Sequence, residues 1–122
     1  MYTSSPVIAF DFDGVIASYS GFIAHDDVQT PNAEVVKAMK LLRGQGCKIL
    51  IHSTRGDEFL RKYCEKFSIP FDYINRRPDL EGENPGKPIA SVYVDDRTIC
   101  YRGEGAQTLI AKIAQFKPYW KE

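Results

Sequence analysis

The sequence has no excess of charge of either sign. Its 122 residues include 16 lysines and arginines and 16 aspartates and glutamates, so the formal net charge is zero. Proteins that bind nucleic acid regardless of its sequence carry a strongly basic surface, and we therefore expect no binding of that kind. The chain also has no apolar run of membrane-spanning length, so a membrane is not an expected partner.

Cysteine is scarce, and its three positions form no metal-binding pattern. Cys47, Cys64 and Cys100 are widely spaced and include no CxxC pair. Scattered cysteines of this kind are typical of small buried side chains in a reducing compartment. The first six residues also lack the basic and apolar regions of a signal peptide. We expect a cytoplasmic protein, and the length fits one domain over residues 1–122.

The most informative stretch is the apolar run of residues 7–10, which two acids and a glycine follow. Asp11 and Asp13 fall where this predicted strand leaves the core, and side chains two residues apart in a strand point the same way. Two acids on one side repel each other and are costly to desolvate, so we expect a cation between them. A hard divalent ion with oxygen ligands fits best. Taken alone, the pair is equally compatible with loop acids that bond to nearby backbone groups.

The rest of the sequence alternates helices with apolar strands. Three helices are predicted. The first begins after the N-cap Asn32 and ends at Gly44, the second begins at Asp57 and ends before Ile69, and the third extends from Ala106 to Phe116. Further strands are predicted over residues 48–54, 71–75 and 91–96, with residues 98–102 as a candidate fifth. The apolar helical faces expected to be buried contain Val35, Val36, Met39, Leu41 and Leu42, then Phe59, Leu60, Tyr63, Cys64 and Phe67, then Leu109, Ile110, Ile113 and Phe116. This alternation predicts a three-layer, doubly wound α/β fold with a mostly parallel, Rossmann-like sheet and helices on both faces.

Three of the predicted strands end in polar clusters. These clusters are Asp11 with Asp13, Ser53 with Thr54 and Arg55, and Asp95 with Asp96. In open parallel sheets, ligands bind beyond the carboxyl ends of the strands, so the clusters predict one active site. Acids from two strands can hold Mg²⁺, which allows an anionic nucleophile to approach a phosphate. A carboxylate can then attack phosphorus, and a second acid can move the protons.

The order of these clusters resembles the four motifs of the haloacid dehalogenase-like phosphohydrolases. The matching residues are Asp11-Phe12-Asp13-Gly14 for the first motif, Ser53 for the second, Lys87 for the third and Asp95-Asp96 for the fourth. The resemblance extends over essentially the whole chain. It implies a phosphatase that hydrolyses phosphomonoesters through an aspartyl-phosphate intermediate.

The resemblance also implies individual roles. Asp11 is expected to be the nucleophile and a metal ligand, and Asp13 the general acid/base, whose backbone carbonyl also binds the metal. Asp95 and Asp96 complete the implied Mg²⁺ site, directly or through water.

The phosphoryl group is expected to bind beside these acids. Gly14, Ser53, Thr54, Arg55 and Lys87 are the predicted substrate-binding residues, and Ser53 and Lys87 are also predicted to be catalytic. Thr54 is an alternative to Ser53 as the phosphoryl-binding hydroxyl, although family members often continue as hydroxyl-x-Arg, which favours Ser53. Arg55 either touches the substrate or forms a salt bridge.

The family usually carries a cap domain, and the sequence leaves no room for one. The stretch from Gly14 to Pro31 can form only a flap, and residues 57–86 hold one helix, one short strand and a loop. The predicted open site suits a macromolecular phosphorylated substrate, or a small one enclosed by a neighbouring subunit of a homo-oligomer. His25 is expected to be a solvated loop residue, and no role is predicted for Arg76, Arg77 or Trp120.

Two non-enzymatic alternatives remain. A receiver-like regulatory domain has a similar length and sheet, but it needs a phospho-accepting Asp at the end of a middle strand, where this sequence has Ser53 and Thr54. A catalytically silent phosphate-binding protein of the same fold is the other. Nucleotide kinases are excluded because no GxxxxGK[ST] loop is present.

Overall fold

The computed structural model describes residues 5–18, 30–80 and 86–121, which form four strands and three helices. In chain order these are β1 (Val7–Asp11), α1 (Ala33–Gly44), β2 (Lys48–His52), α2 (Asp57–Phe67), β3 (Tyr73–Ile74), β4 (Val92–Val94) and α3 (Ala106–Gln115). The strands form one sheet in the order β3-β2-β1-β4, and every pairing is parallel. This sheet with its helices is consistent with a Rossmann-like three-layer arrangement and confirms the predicted fold class.

Strand β1 lies inside the sheet and fixes where the neighbouring strands end. Asp11 lies opposite His52 of β2, and Phe10 lies opposite Val94 of β4. Because the strands are parallel and in this register, their carboxyl ends share one edge. The residues that follow β1, β2 and β4 therefore emerge side by side.

The two faces of the sheet are buried in different ways. Ile8 and Phe10 belong to a large buried cluster that includes residues of both α1 and α2, such as Met39 and Leu60. Val7, Ala9 and Leu50 point to the other face, as the alternation of a strand requires. That smaller cluster packs against Tyr73, Ala90 and Tyr93.

Phe12 anchors the loop that carries the first two acids. Its side chain is completely buried, and its ring meets those of Phe59 and Tyr63 edge to face at centroid distances of 5.9 and 4.8 Å. Such aromatic pairs add to the free energy of burial. Since Phe12 is held in the core, the acids on either side of it are kept at the edge of the sheet.

Helix α1 begins as the sequence indicates. The side chain of Asn32 accepts hydrogen bonds from the backbone N–H groups of Glu34 and Val35, which confirms the predicted N-cap. No helix in the described ranges has the length and apolar character needed to cross a membrane.

Several detailed predictions of the fold are wrong. Residues 98–102 form no strand, and Leu41 and Cys100 are exposed rather than buried. Helix α3 has no buried residue, and Ile110 and Ile113 are 57% and 59% exposed. Within the described part of the chain, α3 contacts no other helix or strand. The helical period identifies which apolar residues share a face, but it does not determine whether another element covers that face.

Candidate active site

A cleft of about 330 Å³ opens at the carboxyl ends of β1, β2 and β4. Its described lining residues are Asp11, Asp13, His52, Ser53, Thr54, Asp95, Asp96 and Arg97. The structure thus brings the three polar clusters of the sequence to one place. The flap expected between Gly14 and Pro31 falls largely on residues 19–29, which lie outside the described residues, as does His25.

The acid cluster, which we define as Asp11, Asp95 and Asp96, lies in this cleft. Each of the three offers a carboxylate oxygen within 4.8 Å of the others. Burial, a hydrogen bond with Asp96 and the charge of Asp95 raise the pKa of Asp11 to about 8, although the backbone N–H of Phe12, 2.9 Å away, opposes the shift. Three crowded carboxylates are hard oxygen ligands, and a divalent cation such as Mg²⁺ would relieve their repulsion. The donor set therefore fits the metal that the sequence implies.

Asp13 faces a cation of the protein itself. Its carboxylate accepts two hydrogen bonds from Arg55, 2.8 Å from Nε and 2.9 Å from Nη2. The guanidinium also lies 5.6 and 4.9 Å from the ring centroids of Phe12 and Phe59. Its side chain is only 12% exposed, and Arg55 is not among the described residues that line the cleft. Of the two roles considered for Arg55, the structure contains the salt bridge, and its partner is the predicted acid/base.

Ser53 is held on both sides by hydrogen bonds. Its Oγ accepts from the backbone N–H of Arg55 at 3.1 Å, and its own N–H donates to the Asn75 side-chain oxygen at 2.8 Å. The Asn75 amide in turn donates to Asp57 at 2.8 Å. A hydroxyl that accepts one hydrogen bond still has its own proton to donate. Thr54 also lines the cleft but is exposed.

Asn75 is a supporting residue that the sequence reasoning missed. It follows β3 with φ of +62°, a conformation that asparagine adopts more readily than most other residues. The only hint of this role in the sequence is that Asn75 ends the short strand predicted over residues 71–75. Its contacts with Ser53 and Asp57 join residues 18 to 22 positions away, which no local pattern reveals.

Gly14 is required by its surroundings. Its φ is +85°, and a Cβ atom at this position would overlap the Asp96 carboxylate and lie 3.1 Å from Nε1 of Trp120. The carbonyl oxygen of Gly14 accepts a hydrogen bond from the Tyr119 hydroxyl at 2.7 Å. The indole N–H of Trp120 donates to the Asp96 carboxylate. The segment around Trp120 therefore reaches the cleft, a position that its place in the sequence does not indicate.

Lys87 is the predicted catalytic residue that the structure does not bring to the cleft. Its side chain is exposed, and its Nζ lies 4.2 Å from the centroid of the Tyr93 ring. It is not among the described lining residues. Arg76 and Arg77 also lie in ion pairs elsewhere, with Asp57 at 3.7 Å and Asp79 at 2.6 Å.

The comparisons with known proteins establish the fold. No model of a known protein family matches the sequence, and no curated protein matches it. One similar solved structure is that of a conserved protein from Bacteroides thetaiotaomicron, with 22% identity, a TM-score of 0.63 and coverage of 92% of this chain and 91% of that one. Another is the Pnkp1/Rnl/Hen1 RNA repair complex, with 22% identity, a TM-score of 0.56 and coverage of 79% of this chain and 38% of that one.

Proposed function

We propose that this chain is a Mg²⁺-dependent phosphomonoester hydrolase of the haloacid dehalogenase-like type, in which Asp11 is the nucleophile. The observation that carries the proposal is the acid cluster, whose carboxylate oxygens lie within 4.8 Å of one another at the carboxyl ends of the strands. A general surface patch of acids would spread its charges apart. Here burial and the strand register hold the three acids together beside the Ser53 hydroxyl and the Asp13 carboxylate.

The proposed reaction has two displacements at phosphorus. In the first, an Asp11 oxygen attacks phosphorus, the ester P–O bond breaks, and Asp13 gives its proton to the leaving oxygen. In the second, water attacks the aspartyl-phosphate, Asp13 takes a proton from that water, and the Asp11 carboxylate leaves as inorganic phosphate forms. Mg²⁺ held by Asp11, Asp95, Asp96 and the Asp13 carbonyl would offset the negative charge of acids and phosphate.

The ion pair with Arg55 bears on the role of Asp13. Two parallel hydrogen bonds to a guanidinium fix the plane of a carboxylate better than one contact can. Each oxygen of that carboxylate retains a further lone pair for a proton. Arg55 would therefore orient Asp13 for both proton transfers.

The phosphoryl oxygens would bind to groups that follow β2, which lies on the other side of β1 from β4 and its acids Asp95 and Asp96. Ser53 is the preferred hydroxyl because its position is fixed by Arg55 and Asn75, and Thr54 is the alternative. Lys87 would join them only after leaving the Tyr93 ring, over which its Nζ lies in this structure. The open cleft suits a small or a macromolecular phosphorylated substrate, and the proposed location is the cytoplasm.

The experiment that tests this proposal is phosphate release from an aryl phosphate, with Mg²⁺ or with a chelator. The wild type should turn over only with Mg²⁺, and Asp11→Asn should abolish turnover while the domain stays folded. Asp79→Asn is the matched control, since Asp79 pairs with Arg77 outside the cleft, and it should retain the wild-type rate. Turnover that survives in Asp11→Asn would overturn the mechanism.

The alternative is a catalytically silent phosphate-binding or receiver-like domain. It predicts that acetyl phosphate or beryllofluoride modifies Asp11 stably, while added phosphate esters are not hydrolysed. The same protein preparations therefore separate the two functions.

A further inference from the structure

A short turn over residues 118–121 lies against the acid cluster. The turn is closed by a hydrogen bond from the Lys121 N–H to the Pro118 carbonyl at 3.0 Å. Two of its side chains reach the cleft in different places: the Tyr119 hydroxyl donates to the Gly14 carbonyl at 2.7 Å, and the Trp120 indole N–H donates to the Asp96 carboxylate. The turn thus contacts the loops after both β1 and β4.

The Trp120 contact is suited to orienting a carboxylate. An indole N–H is a donor only, so it can bind the Asp96 carboxylate without competing with it for a cation. Hydrogen bonds to ionised acceptors are stronger than neutral ones. The indole ring also makes a cation–π contact, because Cζ of Arg97 lies 5.1 Å from its centroid. Trp120 is also half-buried, which restricts its movement.

Asp96 needs such orientation because it lies among other acids. Its carboxylate is close to those of Asp11 and Asp95. When all three are ionised, as metal ligands must be, their repulsion would turn a free side chain away from the cleft. Outer hydrogen-bond partners of metal-binding carboxylates commonly fix their direction and raise metal affinity. Gly14 permits this approach, since a side chain there would occupy the space where Asp96 and Trp120 meet.

We propose that Trp120 is a positioning residue, which orients Asp96 toward a divalent cation in the acid cluster. The inference rests on the proposed function, because it takes the cluster to be the Mg²⁺ site. It adds a residue outside the four motifs and joins the 118–121 turn to the active site. Tyr119 has a separate task, which is to dock the turn on the backbone beside Asp13.

The test is the affinity for Mg²⁺ and Mn²⁺, measured by calorimetry on metal-free protein without substrate. Trp120→Phe keeps an aromatic ring and removes the N–H donor, and it should weaken binding about ten-fold. Tyr119→Phe is the matched variant, because it removes one donor from the same turn without touching Asp96, and its affinity should stay within about three-fold of the wild type. A turn with a purely structural role predicts equal losses in the two variants.

The wild type supplies a second readout, since Trp120 is the only tryptophan in the chain. Its fluorescence should change on adding Mg²⁺, with the same midpoint as the calorimetric titration. Equal affinity in the wild type and Trp120→Phe would overturn the positioning role and leave the phosphatase proposal intact. A wild type that binds neither ion would overturn both the metal site and the role of Trp120.

Discussion

The acid cluster should make the metal-free protein less stable than it would be with one charge fewer, and Asp11→Asn measures the difference. Asparagine has nearly the shape of a protonated aspartic acid and cannot ionise. Two unit charges 4.8 Å apart, the outer limit of the cluster, repel by about 1 kcal/mol in water and by about 3 kcal/mol near a protein surface. Asp11 faces two such charges, those of Asp95 and Asp96. We therefore expect Asp11→Asn to stabilise the metal-free domain by about 2–6 kcal/mol at pH values where wild-type Asp11 is ionised.

The effect should depend on pH in a defined direction. The pKa of Asp11 is raised from 3.8 to about 8 in the folded protein, so between these values the folded state holds a proton that the unfolded state has lost. Wild-type stability therefore falls as the pH rises through this range, and it levels off above about 8. The advantage of Asp11→Asn should be small near pH 4 and largest above pH 8.

The assay is thermal unfolding in chelator, followed by circular dichroism. For a domain of this size, 1 kcal/mol moves the Tm by roughly 4 °C, so the expected gain is roughly 8–24 °C above pH 8. Adding Mg²⁺ should raise the Tm of the wild type more than that of the variant, because bound metal stabilises the native state alone.

Asp72→Asn is the matched control with the opposite sign. Asp72 accepts hydrogen bonds from Arg43 and from the Ile49 N–H at 3.0 and 2.8 Å, so losing its charge should cost about 1–3 kcal/mol. If Asp11→Asn also lowers the Tm above pH 8 in chelator, the reasoning about the acid cluster is refuted.

Three further substitutions test the supports of the site. Gly14→Ala should weaken Mg²⁺ binding in calorimetry, because the added methyl displaces the Asp96 carboxylate; unchanged affinity would contradict this. Asn75→Ala should lower stability by about 1–3 kcal/mol in urea titrations, and it should also lower kcat, because Ser53 loses its anchor; an unchanged kcat would separate the anchor from catalysis. Arg55→Lys should lower kcat about ten-fold or more and alter the pH–rate profile without unfolding the domain, because Asp13 loses the two hydrogen bonds that orient it. A kcat and a pH–rate profile like those of the wild type would argue against the positioning role of Arg55.

The meeting of the three polar clusters could be predicted from the sequence because parallel strands impose it. Once residues 7–10 and the later apolar runs are taken as strands of one parallel sheet, their carboxyl ends must share an edge. The N-cap at Asn32 could be predicted for a similar reason, since capping depends on residues two and three positions away. These features follow from short-range patterns and one topological rule.

The contacts that refine the site could not be predicted in this way. Arg55 pairs with Asp13 across 42 positions, and Tyr119 reaches Gly14 across 105. Such contacts depend on where each side chain lies after folding, and no period or motif encodes them. The apolar face of α3 shows the same limit, because its pattern predicts a covered helix and the described structure leaves that face exposed.

The most direct test of the central claim is to trap the covalent intermediate. Turnover of an aryl phosphate in Mg²⁺ would be quenched with acid, and the protein reduced with borohydride, which converts an aspartyl-phosphate to homoserine. Peptide mass spectrometry should then find homoserine at position 11 only when substrate and Mg²⁺ were both present. Full turnover with an unmodified Asp11, or with modification at another position, would contradict the assignment of Asp11 as the nucleophile.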